Sequence, residues 1–180
     1  MAVQTRMTAK EFLEMPESNQ FIELIHSEVI MSPSPIPVHQ RVVFRVGFLL
    51  ELLSQKHGGT VYIAPLSVYL DDENIPQPDV IWIAPNSKCT IGEKYLIGAP
   101  DLVVEVFSPS TALRDKTDKF RLYEKHGVRE YWMLDAVAKY IEVWQLENGK
   151  FVQKGVYGPG ATFTPAVFPG ETIDVAAIFA

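Results

Sequence analysis

The chain has 180 residues, 47% of them hydrophobic, which is enough for one well-buried domain and short for two, so we expect a single domain over residues 1–180. Its net charge of −6 at pH 7 counts against the broadly basic surface of a dedicated nucleic-acid binder, although basic residues cluster locally between Arg114 and Arg129. No stretch has the length and apolarity of a membrane span and the N-terminus lacks the pattern of a signal peptide, so the sequence predicts a cytoplasmic protein without a membrane partner.

The first third of the chain predicts a short helix, a β-hairpin and a long helix. The segment Thr8–Glu11 has the spacing of a capping box at a helix start. Two strands then flank a turn at His26-Ser27, and the prolines of residues 33–37 exclude a helix there. From about Val38 to Lys56 apolar residues recur at helical spacing, and Gly58-Gly59 supplies the stop. This is the longest predicted helix.

The rest of the chain predicts a sheet with one more helix. Strands are predicted over Thr60–Leu70, Asp79–Ile83, Asp101–Phe107, Glu130–Asp135, Tyr140–Leu146 and Phe151–Tyr157, the last two joined by a turn at Asn148-Gly149. Hydroxyl groups in Ser108–Thr111 suit the start of the second helix, which Gly127 ends, and the tail after Gly158 predicts no element. This order predicts an α/β fold, a mixed β-sheet flanked by helices, with a β-hairpin near each end of the chain.

The single cysteine, Cys89, excludes an internal disulfide and a cysteine-based zinc cluster. Its neighbours in the segment Asn86–Thr90 are polar. The sequence therefore predicts an ordinary exposed thiol.

Glu105 is the residue that most directly indicates function. It lies inside the apolar run Asp101–Phe107, where an ionised carboxylate must be neutralised, paired or placed beside a cation. Asp79 opens another apolar run 26 positions earlier, which leaves room for one strand, a loop and a return on the neighbouring strand. Two carboxylates on adjacent strands form a candidate divalent-metal site, and hard oxygen ligands suit Mg²⁺ or Mn²⁺.

Several motifs taken together resemble one known family. They are Gln77-Pro78-Asp79-Val80, Pro100 to Thr111, Asp115-x3-Lys119-x3-Tyr123-x3-Gly127 and Glu130-Tyr131-Trp132, together with Glu23-Leu24-Ile25, Ser32 to Pro35 and His39 nearer the N-terminus. In these motifs nearly the whole chain resembles the Uma-two family of restriction-endonuclease-like proteins, within the PD-(D/E)xK nuclease superfamily. One departure is that the family usually has Asp-Gly where this chain has His26-Ser27, which bears on the turn more than on the site.

The resemblance implies a restriction-endonuclease-like fold and a divalent-metal-dependent endonuclease that acts on DNA. It implies Asp79 and Glu105 as metal ligands and a lysine near the attacking water. The superfamily usually carries that lysine two residues after the glutamate, where this chain has Phe107. The matching position is then Lys119 on the following helix, with Lys116 as the second choice.

Two further residues are weaker candidates. Glu23 would add an acidic contact from the N-terminal hairpin, and His39, at the start of the long helix, would act on phosphate or beside the metal ligands. The alternatives are a strand-edge charge for Glu23 and a helix-start residue without a catalytic role for His39.

The three principal candidates also have structural alternatives. Asp79 could simply satisfy the amides of a turn. Glu105 could form a buried salt bridge, to Lys119 or to an arginine, without a metal. Lys119 could be one half of a surface pair with Asp115, four residues earlier on a helix.

Two classes of function stay open at this point. One is a metal-dependent DNA endonuclease, and the other is a nuclease-fold protein that binds nucleic acid or assembles without efficient cleavage, as the displaced lysine and the acidic charge permit. A phosphodiesterase of small molecules would use the same site. We also expect a homodimer, because nucleases that cut both strands often pair two sites and because the C-terminal hairpin exposes strand edges.

Overall fold

In the computed structural model, which describes residues 6–16, 21–107 and 115–180, four α-helices and thirteen strands are present. The helices are α1 (Ala9–Leu13), α2 (Pro37–His57), α3 (Phe120–His126) and α4 (Val175–Phe179), and one turn of π-helix, Asp115–Lys119, runs directly into α3. The strands are β1 (Phe21–Ile25), β2 (Glu28–Ser32), β3 (Thr60–Ile63), β4 (Val68–Tyr69), β5 (Val80–Ile83), β6 (Thr90–Ile91), β7 (Leu96–Ile97), β8 (Leu102–Phe107), β9 (Glu130–Asp135), β10 (Tyr140–Glu147), β11 (Lys150–Tyr157), β12 (Thr162–Phe163) and β13 (Ile173–Asp174). The hydroxyl-rich start predicted for the second helix lies outside the described residues.

A mixed six-stranded sheet in the order β11-β10-β9-β8-β5-β3 is the centre of the fold. Strands β8 and β9 are parallel, and the other neighbouring pairs are antiparallel. The N-terminal hairpin β1–β2 forms a sheet of its own, whereas the C-terminal hairpin β10–β11 extends the main sheet. The predicted α/β class, with a mixed sheet flanked by helices and both hairpins, is therefore confirmed.

Side chains of β8 alternate between the two faces of the sheet. Val104 and Val106 belong to the core that α2 and α4 cover, and Val103 and Phe107 belong to the core that Tyr123 of α3 helps to cover. Because successive side chains of a strand point to opposite faces, Glu105 points to the same face as Val103 and Phe107. The alternation therefore directs this carboxylate towards α3.

Helix α2 extends one residue beyond each end of the predicted span, so the exclusion of a helix at Pro37 is wrong. Pro37 occupies its first turn, where the missing N–H costs nothing, and Gly58 ends it with a φ of 79°. Val42, Val46 and Leu50 are buried against the sheet. No helix in the described part of the chain, α2 included, is long and apolar enough to cross a membrane.

The prediction of one strand over Thr60–Leu70 is wrong. Strand β3 ends at Ile63, and β4 begins only at Val68, in a separate three-stranded sheet of order β4-β7-β6. Pro65 lies between them, and proline has no N–H to donate to a ladder, so the pairing of β3 does not continue through it.

The tail after Gly158, for which the sequence predicted no element, forms β12, β13 and α4. Phe168 and Ile178 are buried in the core beside α2. The buried Glu130 carboxylate accepts hydrogen bonds from Trp132 Nε1 at 2.8 Å and from the Val167 amide at 3.1 Å, which fastens the tail to β9. Burial raises the pKa of Glu130 above its usual value. Prolines and glycines interrupt the apolar residues here, so no period of a helix or strand was visible.

The two predicted hairpin turns each place two residues in the left-handed region. The φ values are 52° at His26 and 64° at Ser27, and 51° at Asn148 and 78° at Gly149. Positive φ at both central residues is the mark of a type I′ turn, which matches the twist of the flanking strands. The predicted turns are therefore confirmed, and the first is built without the glycine that such turns favour.

Cys89 is buried, so the prediction of an exposed thiol is wrong. Its side chain is 5% exposed and packs with Val68, Ile81 and Leu96. Burial raises the pKa of the Cys89 thiol to about 11. Asn86, Lys88 and Thr90 are exposed, whereas the Cys89 side chain packs between the small sheet and the main sheet.

We expect Ser27→Gly to stabilise the fold by about 0.5–1 kcal/mol, because glycine adopts positive φ without the clash that Cβ creates. Urea unfolding monitored by circular dichroism measures the change. Ser34→Gly is the matched control, since Ser34 is exposed and has no positive φ, and it should give no gain. Equal effects of the two substitutions would contradict this account of the turn.

We expect the Cys89 thiol to react slowly with a disulfide reagent near neutral pH in the folded protein, and rapidly once guanidinium unfolds the chain. The reasons are its burial and its raised pKa, which keep the nucleophilic thiolate scarce and shielded. Absorbance of the released thiolate follows the reaction. Equal rates in the folded and the unfolded protein would show that the side chain is exposed.

Candidate functional site

The five residues singled out in the sequence lie together at one end of the main sheet. Glu23 is on β1, His39 in the first turn of α2, Asp79 directly before β5, Glu105 on β8 and Lys119 at the last position of the π-turn. Four of the five are at most 8% exposed, and the side chain of Asp79 is 15% exposed. Polar side chains this deeply buried need partners, and the partners are largely one another.

The two predicted metal ligands face each other across the β5–β8 pair. Val80 is paired with Val104 in the antiparallel register, and continuing it by one residue places Asp79 opposite Glu105. The amide of Val106 donates a hydrogen bond of 2.8 Å to Asp79 Oδ2. Asp79 is thereby held beside β8 although it precedes its own strand.

Lys119 joins the two glutamates. Its ammonium nitrogen Nζ lies 2.8 Å from Glu23 Oε1 and 3.0 Å from Glu105 Oε1, and the residue is 4% exposed. Lys119 is therefore buried and not a surface residue, and the buried salt bridge between Glu105 and Lys119 that the sequence left as an alternative is present. The side chains of Asp115 and Lys116 lie outside the described residues, so Lys116 stays the second choice from the sequence alone.

Tyr123 is the member of the cluster to which the sequence analysis gave no role. Its hydroxyl donates a hydrogen bond of 2.7 Å to Glu105 Oε1, and the residue is fully buried. Burial, and then the nearby charge of Glu105, raise the pKa of Tyr123 well above its usual value, so the hydroxyl keeps its proton and stays a donor. The signal was the spacing of Lys119 and Tyr123, four residues apart and hence on one helix face.

Gln77 contributes through its backbone. Its amide donates a hydrogen bond of 2.7 Å to Glu23 Oε1, the same oxygen that Lys119 contacts. The Gln77 side chain donates to Ser67 Oγ at 3.1 Å. The Gln77 amide and the Lys119 ammonium thus both contact Glu23 Oε1. These contacts hold this residue of the N-terminal hairpin in the site.

His39 is the partner of Asp79. Its Nε2 lies 3.3 Å from Asp79 Oδ2, and it is 8% exposed on the inner side of α2. An imidazole at this distance orients the carboxylate and forms an ion pair with it when protonated. The site thus consists of a lysine–glutamate part and a histidine–aspartate part, which the β5–β8 pairing joins.

The donor set suits a small divalent cation. Asp79 and Glu105 offer hard oxygen ligands on adjacent strands, and Mg²⁺ usually takes one or two carboxylates and completes its shell with water and phosphate. Among residues 6–16, 21–107 and 115–180, no three histidine, cysteine or acidic side chains are grouped to hold a metal by themselves. The residues present fit an ion shared with water and substrate rather than a cage made of protein ligands alone.

A family profile, a relative and a solved structure each match most of this chain. The profile of the Uma2 family, described as "Putative restriction endonuclease", matches residues 9–176. A relative from Synechocystis sp., the uncharacterized protein sll1609, is 28% identical over 142 residues, which cover 77% of this chain and 80% of that protein. The crystal structure of a putative nuclease belonging to DUF820 from Anabaena variabilis shares the fold, with a TM-score of 0.78 and 19% identity over 96% of this chain and 97% of that one.

We expect Lys119→Met to lower the free energy of unfolding by about 3–5 kcal/mol in metal-free buffer, because it leaves two buried carboxylates without their shared cation. Lys125→Met, on the same helical segment, is the control. The Lys125 side chain is 67% exposed in its pair with Asp71, and its loss should cost less than about 1 kcal/mol. Urea unfolding compares the two, and equal losses would contradict the buried arrangement.

Proposed function

This chain belongs to the Uma2 family, and from that membership we propose that it is a divalent-metal-dependent endonuclease that hydrolyses phosphodiester bonds of DNA. The family description and the nuclease-like fold support a nuclease. The observation that carries the finer proposal is the placement of Asp79 opposite Glu105, with the Lys119 ammonium 3.0 Å from Glu105. A pair of carboxylates and a lysine are the groups that metal-assisted phosphodiester hydrolysis needs.

Asp79 and Glu105 would hold Mg²⁺ or Mn²⁺ in this proposal. The chemistry supplied by a bound divalent cation is polarisation of the phosphate and of a water molecule. The Val106 amide and His39 fix Asp79, and Tyr123 fixes Glu105, so both carboxylates are oriented before a substrate arrives. Ligands that are already in place need little reorganisation during the reaction.

Lys119 would supply the positive charge beside the attacking water. Its ammonium group can orient the nucleophile and stabilise the charge that grows on the phosphate oxygens, which is worth most where water is excluded. Its contact with Glu23 at 2.8 Å sets its position. Glu23 is then a positioning residue for Lys119.

His39 has two compatible roles. At 3.3 Å it orients Asp79, and it lies at the N-terminus of α2, where the helix dipole favours an anion such as phosphate. A phosphate approaching Asp79 would therefore meet both the imidazole and the amino end of α2.

Two observations favour the alternative of a nuclease fold without efficient cleavage. Phe107, 4% exposed, occupies the strand position where the superfamily usually carries its lysine. Lys119 is engaged by two glutamates, so part of its charge is already compensated. Such a protein would bind nucleic acid or assemble through the same fold.

The proposal includes a homodimer in the cytoplasm. A chain with one site cuts one strand at a time, so two copies are the simplest way to cut both strands of a duplex. The mass in solution, measured by light scattering, tests the oligomeric state.

We expect the wild-type protein to nick supercoiled plasmid with Mg²⁺ or Mn²⁺, and Asp79→Asn to lose at least about 100-fold of the rate, because the amide is a poor ligand for a hard cation. Asp101→Asn is the matched control. Asp101 is a buried acid at the opposite ends of β5 and β8, where it accepts a hydrogen bond from the Ala84 amide and pairs with Arg129. Agarose gel electrophoresis measures the nicking.

A second readout separates metal binding from cleavage. Mn²⁺ should raise the melting temperature of the wild type and of Asp101→Asn but not that of Asp79→Asn. Equal nicking by wild type and Asp79→Asn would overturn the assigned site. Mn²⁺ binding without nicking, in a folded wild type, would place the non-cleaving alternative first.

A further inference from the structure

The outer side of α2 carries aromatic side chains that the fold leaves uncovered. Phe44 is 59% exposed and Phe48 is 58% exposed, and their rings are stacked with centroids 6.5 Å apart. The guanidinium carbon of Arg41 lies 5.9 Å from the centre of the Phe44 ring. Aromatic side chains of this size on a helix surface expose apolar area that a partner would bury.

These residues form one stripe along the helix, which we call the α2 stripe: Arg41, Phe44, Phe48 and Glu51. Their spacing of three, four and three residues is that of the contact positions of two packed helices. Leu52 and Ile63, the latter on the edge strand β3, widen the apolar surface beside it and are 43% and 51% exposed.

The α2 stripe is complementary to itself. When two copies of α2 lie antiparallel and cross at residue 46, Phe44 of one copy meets Phe48 of the other, because the two positions are equally far from that residue. By the same symmetry Arg41 of each copy meets Glu51 of the second copy. Hydrophobic residues then lie at the centre and opposite charges at the ends, as a two-fold interface requires.

We propose that the α2 stripe is the interface of a symmetric homodimer, in which two copies of α2 pack antiparallel. The charges favour a second copy over nucleic acid as the occupant. One arginine and one glutamate flank the aromatic residues. A second copy in the antiparallel orientation offers the opposite charge to each of them, whereas Glu51 would repel a phosphate backbone.

The size of the surface sets the strength of this dimer. Helix α2 has 21 residues and is therefore about 30 Å long. With a width of about 15 Å, including the residues beside the stripe, each copy would bury roughly 450 Å², below the roughly 800 Å² per partner of a standard interface. An interface of this size is typical of weak complexes, so the fraction of dimer changes with protein concentration.

The free edge of β11, from which the sequence predicted association, is less suited to it. Lys150 and Lys154 of this strand form ion pairs with Glu124 and Glu147, and the pairing with β10 is interrupted by a bulge between Val143 and Trp144. Lysines and bulges are the usual means by which an edge strand avoids pairing with another chain. The apolar surface on α2 has no such protection.

The α2 stripe lies on the side of the helix opposite the candidate site. His39 and the core residues Val42 and Val46 are on the buried side of α2, whereas the α2 stripe is exposed. Association through the stripe leaves the site open. The interface and the proposed nuclease activity can therefore be tested separately.

Sedimentation equilibrium of the full chain over a range of concentrations tests the interface. We expect the wild type to be in a monomer–dimer equilibrium and Phe44→Ser/Phe48→Ser to be monomeric at the same concentrations, with an unchanged circular dichroism spectrum. Val156→Ser is the matched control, because Val156 is a 57% exposed apolar residue on the β11 edge, and it should leave the equilibrium unchanged.

Charge exchange tests the antiparallel arrangement. Arg41→Glu and Glu51→Arg should each weaken the dimer at least about 10-fold, because each places two like-charged pairs in the interface. The double variant R41E/E51R should restore dimerisation. An equimolar mixture of the two single variants should form a heterodimer, because every facing pair is then of opposite charge.

Four results would overturn the proposal. They are a wild type that stays monomeric at the highest soluble concentration, a dimer that survives the phenylalanine substitutions, a dimer that Val156→Ser dissociates, and a mixture of the charge variants that does not associate. If the phenylalanine variant loses plasmid binding while the wild type is monomeric, the α2 stripe contacts nucleic acid instead. Should the phenylalanine variant fail to fold, the charge variants on the exposed surface decide the question alone.

Discussion

The burial of Glu105 is the constraint on which the rest of the site depends. A carboxylate that is 3% exposed on a central strand loses its hydration, and this loss must be compensated locally. Lys119 and Tyr123, one helical turn apart, supply an ammonium and a hydroxyl to the same oxygen at 3.0 and 2.7 Å. The segment from the π-turn into α3 is therefore held against this face of the sheet by polar contacts as well as by its apolar residues.

The same constraint explains why distant parts of the chain meet. The Lys119 ammonium has three N–H donors, so besides Glu105 it also contacts Glu23 of the N-terminal hairpin, at 2.8 Å. Gln77, two residues before Asp79, fastens Glu23 through its amide. The N-terminal hairpin, the segment that leads into β5 and the strand β8 are thus linked through the Lys119 ammonium and its two glutamates. The antiparallel register then places Asp79 opposite Glu105 without any further adjustment.

How much the sequence predicts depends on whether a residue interrupts its local pattern. Glu105 does so as a charge in an apolar run, and Gly58 marks the end of α2, so the need of this carboxylate for a partner and the longest helix are predictable from local pattern, whereas Glu23, His39 and Lys119 are indicated only by the family resemblance. Tyr123 resembles any aromatic core residue until its hydroxyl partner is known. Cys89 and the tail were misjudged or left open because burial there results from contacts between distant segments, which no local pattern encodes.

The cost of the ionic cluster supports a functional interpretation. Replacing a buried ion pair by apolar side chains of similar volume is often neutral or stabilises a protein by about 1–4 kcal/mol, so stability alone does not favour Glu23, Glu105 and Lys119 here. A sheet core built from valine, leucine and aromatic residues on both faces could have been completed with more of the same. Under the proposed function these buried charges have a role, because two carboxylates and an ammonium would match a phosphate with its divalent cation.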